Sequence, residues 1–216
     1  MKYKSFLIEG CLGGLFTLSS CTAPTNVKDY SAYVNPFIGT GGHGHTFPGA
    51  VVPHGMIQPS PDTRIDGWDA CSGYYYADST INGFSHTHVS GTGCCDYGDV
   101  LLMPTVGKQQ YRTTDPQSQR LAYASSFSHK NEIAEPGYYS VFLDTYQVKA
   151  EFSSTKRGAI HRYTFPENTE SGFIIDLDYS LQRQTNSEME IEVISDTEIC
   201  GHKNLLGFRP IYQLLR

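Results

Sequence analysis

Residues along the second half of the chain repeatedly alternate between two faces of an extended strand. This alternation is the sequence feature that most restricts which fold the chain can adopt. In the run 138–143 (YYSVFL), the second, fourth and sixth residues share one face of an extended strand. The pattern returns in 158–165 (GAIHRYTF), 173–177 (FIIDL) and 189–194 (MEIEVI), with turn clusters at 166–168 and 195–196. No segment combines a helical period with helix caps, so the runs predict an all-β fold, an antiparallel β-sandwich.

The preceding segment, Gly39 to Gly98, has a different composition and predicts loops. It holds 12 of the 21 glycines and five of the eight histidines, with Arg64 as its only basic side chain. Because glycine allows backbone conformations and close approaches that other residues avoid, we expect loops joined by short strands. Loops held by a rigid sheet carry most binding and catalytic residues, so the chemistry of the chain should lie here.

Length and charge exclude several classes of protein. A chain of 216 residues fits one large domain or two small ones. The formal net charge of -6 argues against a nucleic-acid partner, which needs a basic stripe. No apolar run reaches the ~18 residues of a transmembrane helix.

The first residues predict a lipoprotein signal peptide over residues 1–20. A basic start (MKYK) precedes an apolar run at 6–18, which suits a signal but is too short to span a membrane. The run ends in LSSC, which resembles the bacterial lipobox, so Cys21 is the predicted lipidation site. Residues 21–32 would form a tether, and the mature chain an envelope lipoprotein, periplasmic or on the outer-membrane surface, bound to the membrane through its lipid anchor. The alternative is a buried strand or helix with a chance cysteine.

Two histidine pairs are candidate ligands. The loop GTGGHGH ends in His43 and His45, and His86 and His88 would share one face of a strand, as a metal site needs. The other interpretation is that these imidazoles are hydrogen-bonding struts within packed loops. No third ligand lies at a known spacing, so no metal site is predicted.

The turn DGWD carries the only tryptophan, Trp68. A lone tryptophan is usually part of a core, but a polar turn gives an apolar anchor little to pack on. We therefore expect Trp68 to be a platform for a ligand. The adjacent cysteines Cys94 and Cys95 are expected as free thiols, because a bond between neighbours would close a strained ring.

Longer motifs extend along the chain and together resemble a known family. Residues 33–50 read YVNPFIGTGGHGHTFPGA. The motifs that follow are PSPDTR (59–64), GWD (67–69), SGY (72–74), GFSHTH (83–88), SGTG (90–93), DYGD (96–99), LMP (102–104), FSHKNE (127–132), PGYY (136–139) and HRYTFP (161–166). Over residues 33–201, in order and at sensible spacing, they resemble the N-terminal domain of glycoside hydrolase family 92.

This resemblance implies a calcium-dependent, inverting exo-α-mannosidase, α-1,2-mannosidase-like, that hydrolyses mannose-containing glycans or mannan. The family pairs a galactose-mutarotase-like super-sandwich with a larger (α/α) barrel, and the barrel carries most of the acid, base and calcium ligands. No catalytic residue is therefore assigned to this chain. The N-terminal loops would contribute sugar contacts. The implied substrate-binding residues are Trp68 on the leaving-group side, Asp69 and Arg64 at sugar hydroxyls, and His43, His45, His86 and His88 in the pocket or at the domain interface.

The last residues, 202–216 (HKNLLGFRPIYQLLR), depart from the family pattern. We expect them to be a divergent tail that leaves the sandwich incomplete at its C-terminal end. Five acids could form a hydrolytic pair on composition alone, namely Asp62, Asp66, Asp69, Asp96 and Asp99. Acids in glycine-rich turns more often cap the turn, however. Two functions remain open: the sugar-contacting and domain-docking part of an α-mannosidase, or a stand-alone carbohydrate- or metal-binding β lipoprotein.

We predict that Cys21→Ser releases the exported chain from the membrane fraction, because the lipidated thiol is its only predicted membrane attachment. Cell fractionation and labelling with a fatty-acid analogue measure this. Cys11→Ser, within the apolar run, is the matched control and should keep both label and membrane association. An unlabelled wild-type chain would contradict the prediction.

Overall fold

The structure is a computed structural model that describes residues 28–109, 111, 118–206 and 212–215. These residues contain twelve β-strands and three short 3-10 helices, and no α-helix. In the same part of the chain, no helix has the length and apolar character needed to cross a membrane. The signal peptide and Cys21 lie outside the described residues, as does most of the tether.

The strands, in chain order, are β1 (Ser60–Asp62), β2 (Thr80–Ile81), β3 (Gly83–Ser85), β4 (Leu101–Val106), β5 (Ser125–Glu135), β6 (Tyr138–Leu143), β7 (Val148–Ser154), β8 (Ala159–Thr164), β9 (Ser171–Asp176), β10 (Thr185–Ser195), β11 (Glu198–Leu206) and β12 (Tyr212–Leu215). The 3-10 helices span Ser31–Tyr33, Trp68–Ala70 and Leu181–Arg183. Three antiparallel sheets result, with strand orders β1-β3-β4-β9, β2-β5-β6-β7-β8 and β10-β11-β12. The all-β, antiparallel prediction is confirmed.

The first two sheets share one hydrophobic core. Phe84 of β3 contacts Phe152 of β7, with ring centroids 4.5 Å apart, and both side chains are buried. Met103 of β4 and Tyr139 of β6 belong to the same buried cluster. Burial of large apolar side chains from both sheets is the main stabilisation of such a layered fold, at about 1.5–3 kcal/mol for each.

The alternation that predicted a strand at 138–143 is confirmed by the burial of β6. Tyr139, Val141 and Leu143 are at most 1% exposed and lie in the core. Strand β6 pairs with β5 on one side and β7 on the other, so it is central in its sheet. The other three predicted runs coincide with β8, β9 and β10.

The segment from Gly39 to Gly98 is mostly loop, as its glycine content predicted. Its three strands, β1 to β3, are only two or three residues long. Directly after β1, the backbone N–H of Thr63 donates to the Gly73 carbonyl at 2.8 Å and closes a loop over residues 63–73. The short first sheet thus presents long loops that contain the predicted site residues.

The third sheet begins with the β10–β11 hairpin, and one buried lysine ties it to the first sheet. Lys203 of β11 lies 3.1 Å from Asp99 Oδ1, which precedes β4, and it donates to the Tyr179 carbonyl at 2.6 Å. Burial raises the pKa of Asp99, and the Lys203 ammonium opposes that shift. Strand β11 runs across the domain boundary expected at residue 201.

We predict that Lys203→Met lowers the free energy of unfolding by about 3–5 kcal/mol, because it leaves the Asp99 carboxylate buried without its counter-charge. Urea denaturation measures this. The control is Lys149→Met: Lys149 is half exposed and lies 3.1 Å from Glu151, so its loss should cost less than about 1 kcal/mol. Adding Asp99→Asn to Lys203→Met should recover part of the loss. Equal losses in the two lysine variants would contradict the assignment.

Candidate functional site

Trp68 opens the short turn Trp68–Ala70 at the surface. Gly67 precedes it with φ of 99°, a conformation that residues with side chains avoid, and this glycine lets the chain turn there. The tryptophan is 56% exposed. The structure thus places Trp68 outside the core, as the polar turn predicted, while ligand binding there stays a prediction.

Neighbouring loops hold the indole in one orientation. The indole Nε1 donates to the Gly93 carbonyl at 3.0 Å. The His45 ring meets the indole edge-on at 4.4 Å between centroids, and the His43 ring lies tilted at 4.8 Å. A Cβ atom at Gly93 would lie 3.1 Å from His45 Nδ1 and 3.2 Å from the indole nitrogen, so glycine is what permits this packing.

Asp69 carries the negative charge of this group. His43 Nδ1 lies 2.7 Å from Asp69 Oδ1, and His45 Nε2 lies 3.6 Å from the same oxygen. The hydrogen bond with His43 holds the pKa of Asp69 below its ordinary value, so the carboxylate is ionised at neutral pH. The side chains of His43 and Asp69 are 70% and 29% exposed, which leaves both accessible to a ligand. We call the group formed by His43, His45, Trp68 and Asp69 the Trp68 platform.

Arg64 lies at a separate pocket. Its guanidinium donates to the Asp78 carboxylate through Nε at 2.9 Å and Nη2 at 3.0 Å, and it stacks over the Tyr75 ring at 3.8 Å. Arg64, Asp78 and Thr80 line an open pocket of about 410 Å³, and no residue of the Trp68 platform lines it. Two donors of Arg64 are already engaged with the Asp78 carboxylate. Contact between Arg64 and sugar hydroxyls stays a prediction, and it would occur at this pocket and not at the Trp68 platform.

His88 is buried in a polar cluster between the ends of β1 and β3. Its Nδ1 donates to the Gln58 carbonyl at 2.8 Å, while Nε2 lies 2.9 Å from Ser85 Oγ and 3.0 Å from Asp62 Oδ1. In a hydrolytic triad the acid and the nucleophile contact opposite ring nitrogens. Here both contact Nε2, and the side chains of His88 and Asp62 have no exposed area. The cluster is therefore a structural strut.

His86 packs against a different element from His88. Its Nδ1 donates to the Val100 carbonyl at 2.8 Å, and its ring stacks on His161 at 4.9 Å. Burial lowers the pKa of His86, and burial together with His86 lowers the pKa of His161 to about 3, so both rings are neutral at physiological pH.

The expectation that His86 and His88 share one face of a strand is wrong. Strand β3 ends at Ser85, and both imidazoles lie in the loop that follows. They belong to separate contacts there, His86 with His161 and His88 with Asp62. Within the residues that the structure describes, no group of three or more His, Cys, Asp or Glu side chains could hold a metal ion.

Four of the five acids considered for a hydrolytic pair make contacts within the fold. Asp62 is buried against His88, and Asp99 is buried beside the Lys203 ammonium. Asp66 and Asp96 each accept the backbone N–H of the next residue, at 2.8 Å and 3.0 Å, as turn-capping acids do. An inverting glycosidase places two carboxyl groups on opposite sides of one bond, and of these five acids only Asp69 belongs to the platform.

Sequence reasoning missed the residues that support the platform from a distant turn. Gln182 Nε2 donates to the Gly67 carbonyl at 2.7 Å, from 115 positions along the chain. Gln184 Nε2 donates to the Cys95 carbonyl at 3.4 Å. A glutamine side chain carries no local signal for such a contact, so only the fold reveals it.

Solved structures of glycosidases resemble this fold closely. A family GH92 α-mannosidase from Bacteroides thetaiotaomicron, solved alone and with mannoimidazole, is 41% identical at a TM-score of 0.78, over 85% of this chain and 24% of that one. A family GH92 inverting mannosidase from the same organism is 30% identical at a TM-score of 0.64, over 81% of this chain and 23% of that one. This chain thus spans about a quarter of their length.

Sequence comparisons agree with the structural ones. A protein of Arthroderma benhamiae named as an uncharacterized secreted glycosidase is 31% identical over 171 residues, which are 78% of this chain and 21% of that protein. The sequence model of the glycosyl hydrolase family 92 N-terminal domain matches residues 33–214. The chain therefore belongs to glycoside hydrolase family 92, of which it carries the N-terminal domain.

Proposed function

We propose that this chain supplies sugar-contacting loops to an exo-α-mannosidase that acts on mannose-containing glycans. The observation that carries the proposal is the Trp68 platform, an exposed and oriented indole beside an ionised carboxylate. The mannosidase from Bacteroides thetaiotaomicron at 41% identity supports the substrate class, since its structure holds mannoimidazole.

The chemistry of the platform matches the two kinds of surface on a pyranose. The C–H face of a sugar ring is apolar and packs on an aromatic ring, while the hydroxyl groups need hydrogen-bond partners. Trp68 offers the apolar surface, and the Asp69 carboxylate accepts hydrogen bonds from hydroxyl groups. His43 adds a ring nitrogen at the exposed edge. Because the indole is already oriented, binding costs little ordering of side chains.

The proposal also assigns a docking role to the β10–β11 hairpin. Met189, Ile191 and Val193 lie on one face of β10 and are 46%, 45% and 71% exposed. Ile199 pairs directly with Val193 across the hairpin and extends that face. Contiguous exposed apolar side chains mark protein contacts. The partner that we propose for this face is the (α/α) catalytic domain of the family.

The proposal also includes a calcium ion and a membrane anchor, and neither lies among the described residues. A calcium ion takes six to eight oxygen ligands, and the described residues offer no cluster of acids for it. The proposal therefore places the calcium ligands in the catalytic domain. The fungal relative is named as secreted, which supports a location outside the cytoplasm, and the Cys21 lipid anchor is our proposal for the envelope.

The alternative, a stand-alone carbohydrate- or metal-binding lipoprotein, is not favoured. Its metal-binding form relied on both His-x-His pairs, His43 with His45 and His86 with His88. Within the described residues, neither pair belongs to a group of three or more His, Cys, Asp or Glu side chains that could hold a metal ion. Both ring nitrogens of His88 are engaged with protein groups, and His86 stacks on His161. The chain also shares its fold and family with large glycosidases.

We predict that Trp68→Ala, made at the matching position of a complete family 92 mannosidase, lowers kcat/KM by roughly 5–30-fold. The reason is the loss of about 1–2 kcal/mol of sugar contact in the transition state. Kinetics on an α-mannoside disaccharide measure it. In the 216-residue chain, the same substitution should leave the melting temperature nearly unchanged, because the indole is 56% exposed.

The matched control for stability is Phe84→Ala. Phe84 has no exposed area, so its truncation should cost about 3–5 kcal/mol and lower the melting temperature strongly. If Trp68→Ala lowered the melting temperature as far as Phe84→Ala while leaving the kinetics intact, Trp68 would be a core residue and the proposed role would fail.

We also predict that the 216-residue chain alone hydrolyses no α-mannoside at a measurable rate, with or without calcium. Of its five candidate acids, Asp62 and Asp99 are buried, and Asp66 and Asp96 each accept a neighbouring backbone N–H, which leaves Asp69 alone. Mannose release from an aryl α-mannoside, compared with a mock preparation, tests this. Calcium-dependent release above that background would show that the chain carries its own acid and base.

A further inference from the structure

Three cysteines lie beside the indole of Trp68. Cys71 directly follows the turn Trp68–Ala70. Its backbone N–H donates to the Trp68 carbonyl at 3.3 Å, and its thiol contacts the same oxygen at 2.6 Å. Cys94 and Cys95 directly follow Gly93, whose carbonyl accepts the indole N–H at 3.0 Å. The hydrogen bond between Trp68 and Gly93 therefore has cysteines close in sequence to both its donor and its acceptor residue.

Cys95 is the member of the adjacent pair that faces Cys71. The two side chains are hydrogen-bonded, and Cys95 is half-buried whereas Cys94 is exposed. Burial is the main cause that raises the pKa of the Cys95 thiol, and the Cys71 thiol raises it further. Both thiols are free in this structure. Uncatalysed oxidation is slow for such a protonated thiol, because only the thiolate attacks a disulfide.

We propose that Cys71 and Cys95 form a disulfide that fastens the Trp68 turn to the Gly93 loop. The oxidant is a disulfide of the thiol–disulfide exchange class, either a small-molecule disulfide or that of an oxidoreductase. The Cys95 thiolate attacks one sulfur of the oxidant, forms a mixed disulfide and releases the first thiol. The Cys71 thiolate then attacks the Cys95 sulfur and releases the second thiol. The two protons that the cysteine thiols give up end on the two released sulfur groups, so the oxidant is reduced to two thiols.

The bond would fix the orientation that the platform needs. Without it, the indole and the Gly93 loop are joined by one N–H to carbonyl hydrogen bond. The cross-link closes a loop of about 25 residues, which restricts the unfolded chain and stabilises the fold. Its formation in the cell depends on the location outside the cytoplasm proposed above. Its chemistry depends on neither that location nor sugar binding.

The test equilibrates the folded 216-residue chain with oxidised glutathione, blocks free thiols and maps the linked peptides without reduction. The chain has no Lys or Arg between Arg64 and Lys108, so trypsin would leave all three cysteines in one peptide. Chymotrypsin cuts after Tyr74 to Tyr76 and after Phe84, and so separates Cys71 from Cys94 and Cys95. Fragmentation of the linked pair then locates the bond. A Cys71–Cys95 link supports the proposal, and only free thiols or a link through Cys94 overturns it.

Cysteine variants test the Cys71–Cys95 link independently of the peptide map. Cys94→Ser is the matched control and should keep the link, whereas Cys71→Ser and Cys95→Ser should each lose it. Oxidation should raise the melting temperature of wild type and Cys94→Ser by about 5–15 °C, and dithiothreitol should reverse the rise. The same rise in Cys71→Ser would overturn the assignment. Absence of sugar binding with the link present would count against the proposed function alone.

Discussion

The buried contact between His88 and Asp62 is the constraint on which the loops of this domain depend. Asp62 is the last residue of β1, and the same imidazole nitrogen also contacts Ser85, the last residue of β3. A buried carboxylate without a partner costs several kcal/mol, so this arrangement fixes where both strands end. Gly73 must be glycine here, since a Cβ atom at that position would collide with the Asp62 carboxylate.

The contact between His88 and Asp62 sets the positions of the two loops that meet at the indole. One loop leaves β1 and closes through Thr63 and Gly73, with Trp68 at its exposed turn. The other contains His88 itself and closes where the Gly98 N–H donates to the Thr87 carbonyl at 2.8 Å. The hydrogen bond from the indole joins the two loops, and it holds because both loop bases are already fixed. The contacts that fix the loops therefore lie beneath the exposed indole.

The sequence predicted β6 well because alternation there records burial on one face, a local property. Tyr139, Val141 and Leu143 point to the core in the order the pattern required. It failed for His86 and His88, because the end of β3 depends on a long-range contact with Asp62. The exposure of Trp68 followed from its polar turn, whereas the support from Gln182 could not, since no local pattern places a side chain 115 positions away.

Trp68 and the face of β10 are two of the apolar surfaces that the described residues expose, and their polar surroundings distinguish what each can bind. Trp68 has an ionised carboxylate beside it in Asp69, which suits a small ligand with hydroxyl groups. The face that carries Ile191 and Val193 has Gly201 and Ile199 as its cross-strand partners, so it offers apolar contact with little hydrogen bonding. Such a face suits a protein surface, where shape and burial provide most of the affinity. The proposed roles follow this difference: sugar contact for the surface around Trp68, and contact with a catalytic domain for the face of β10.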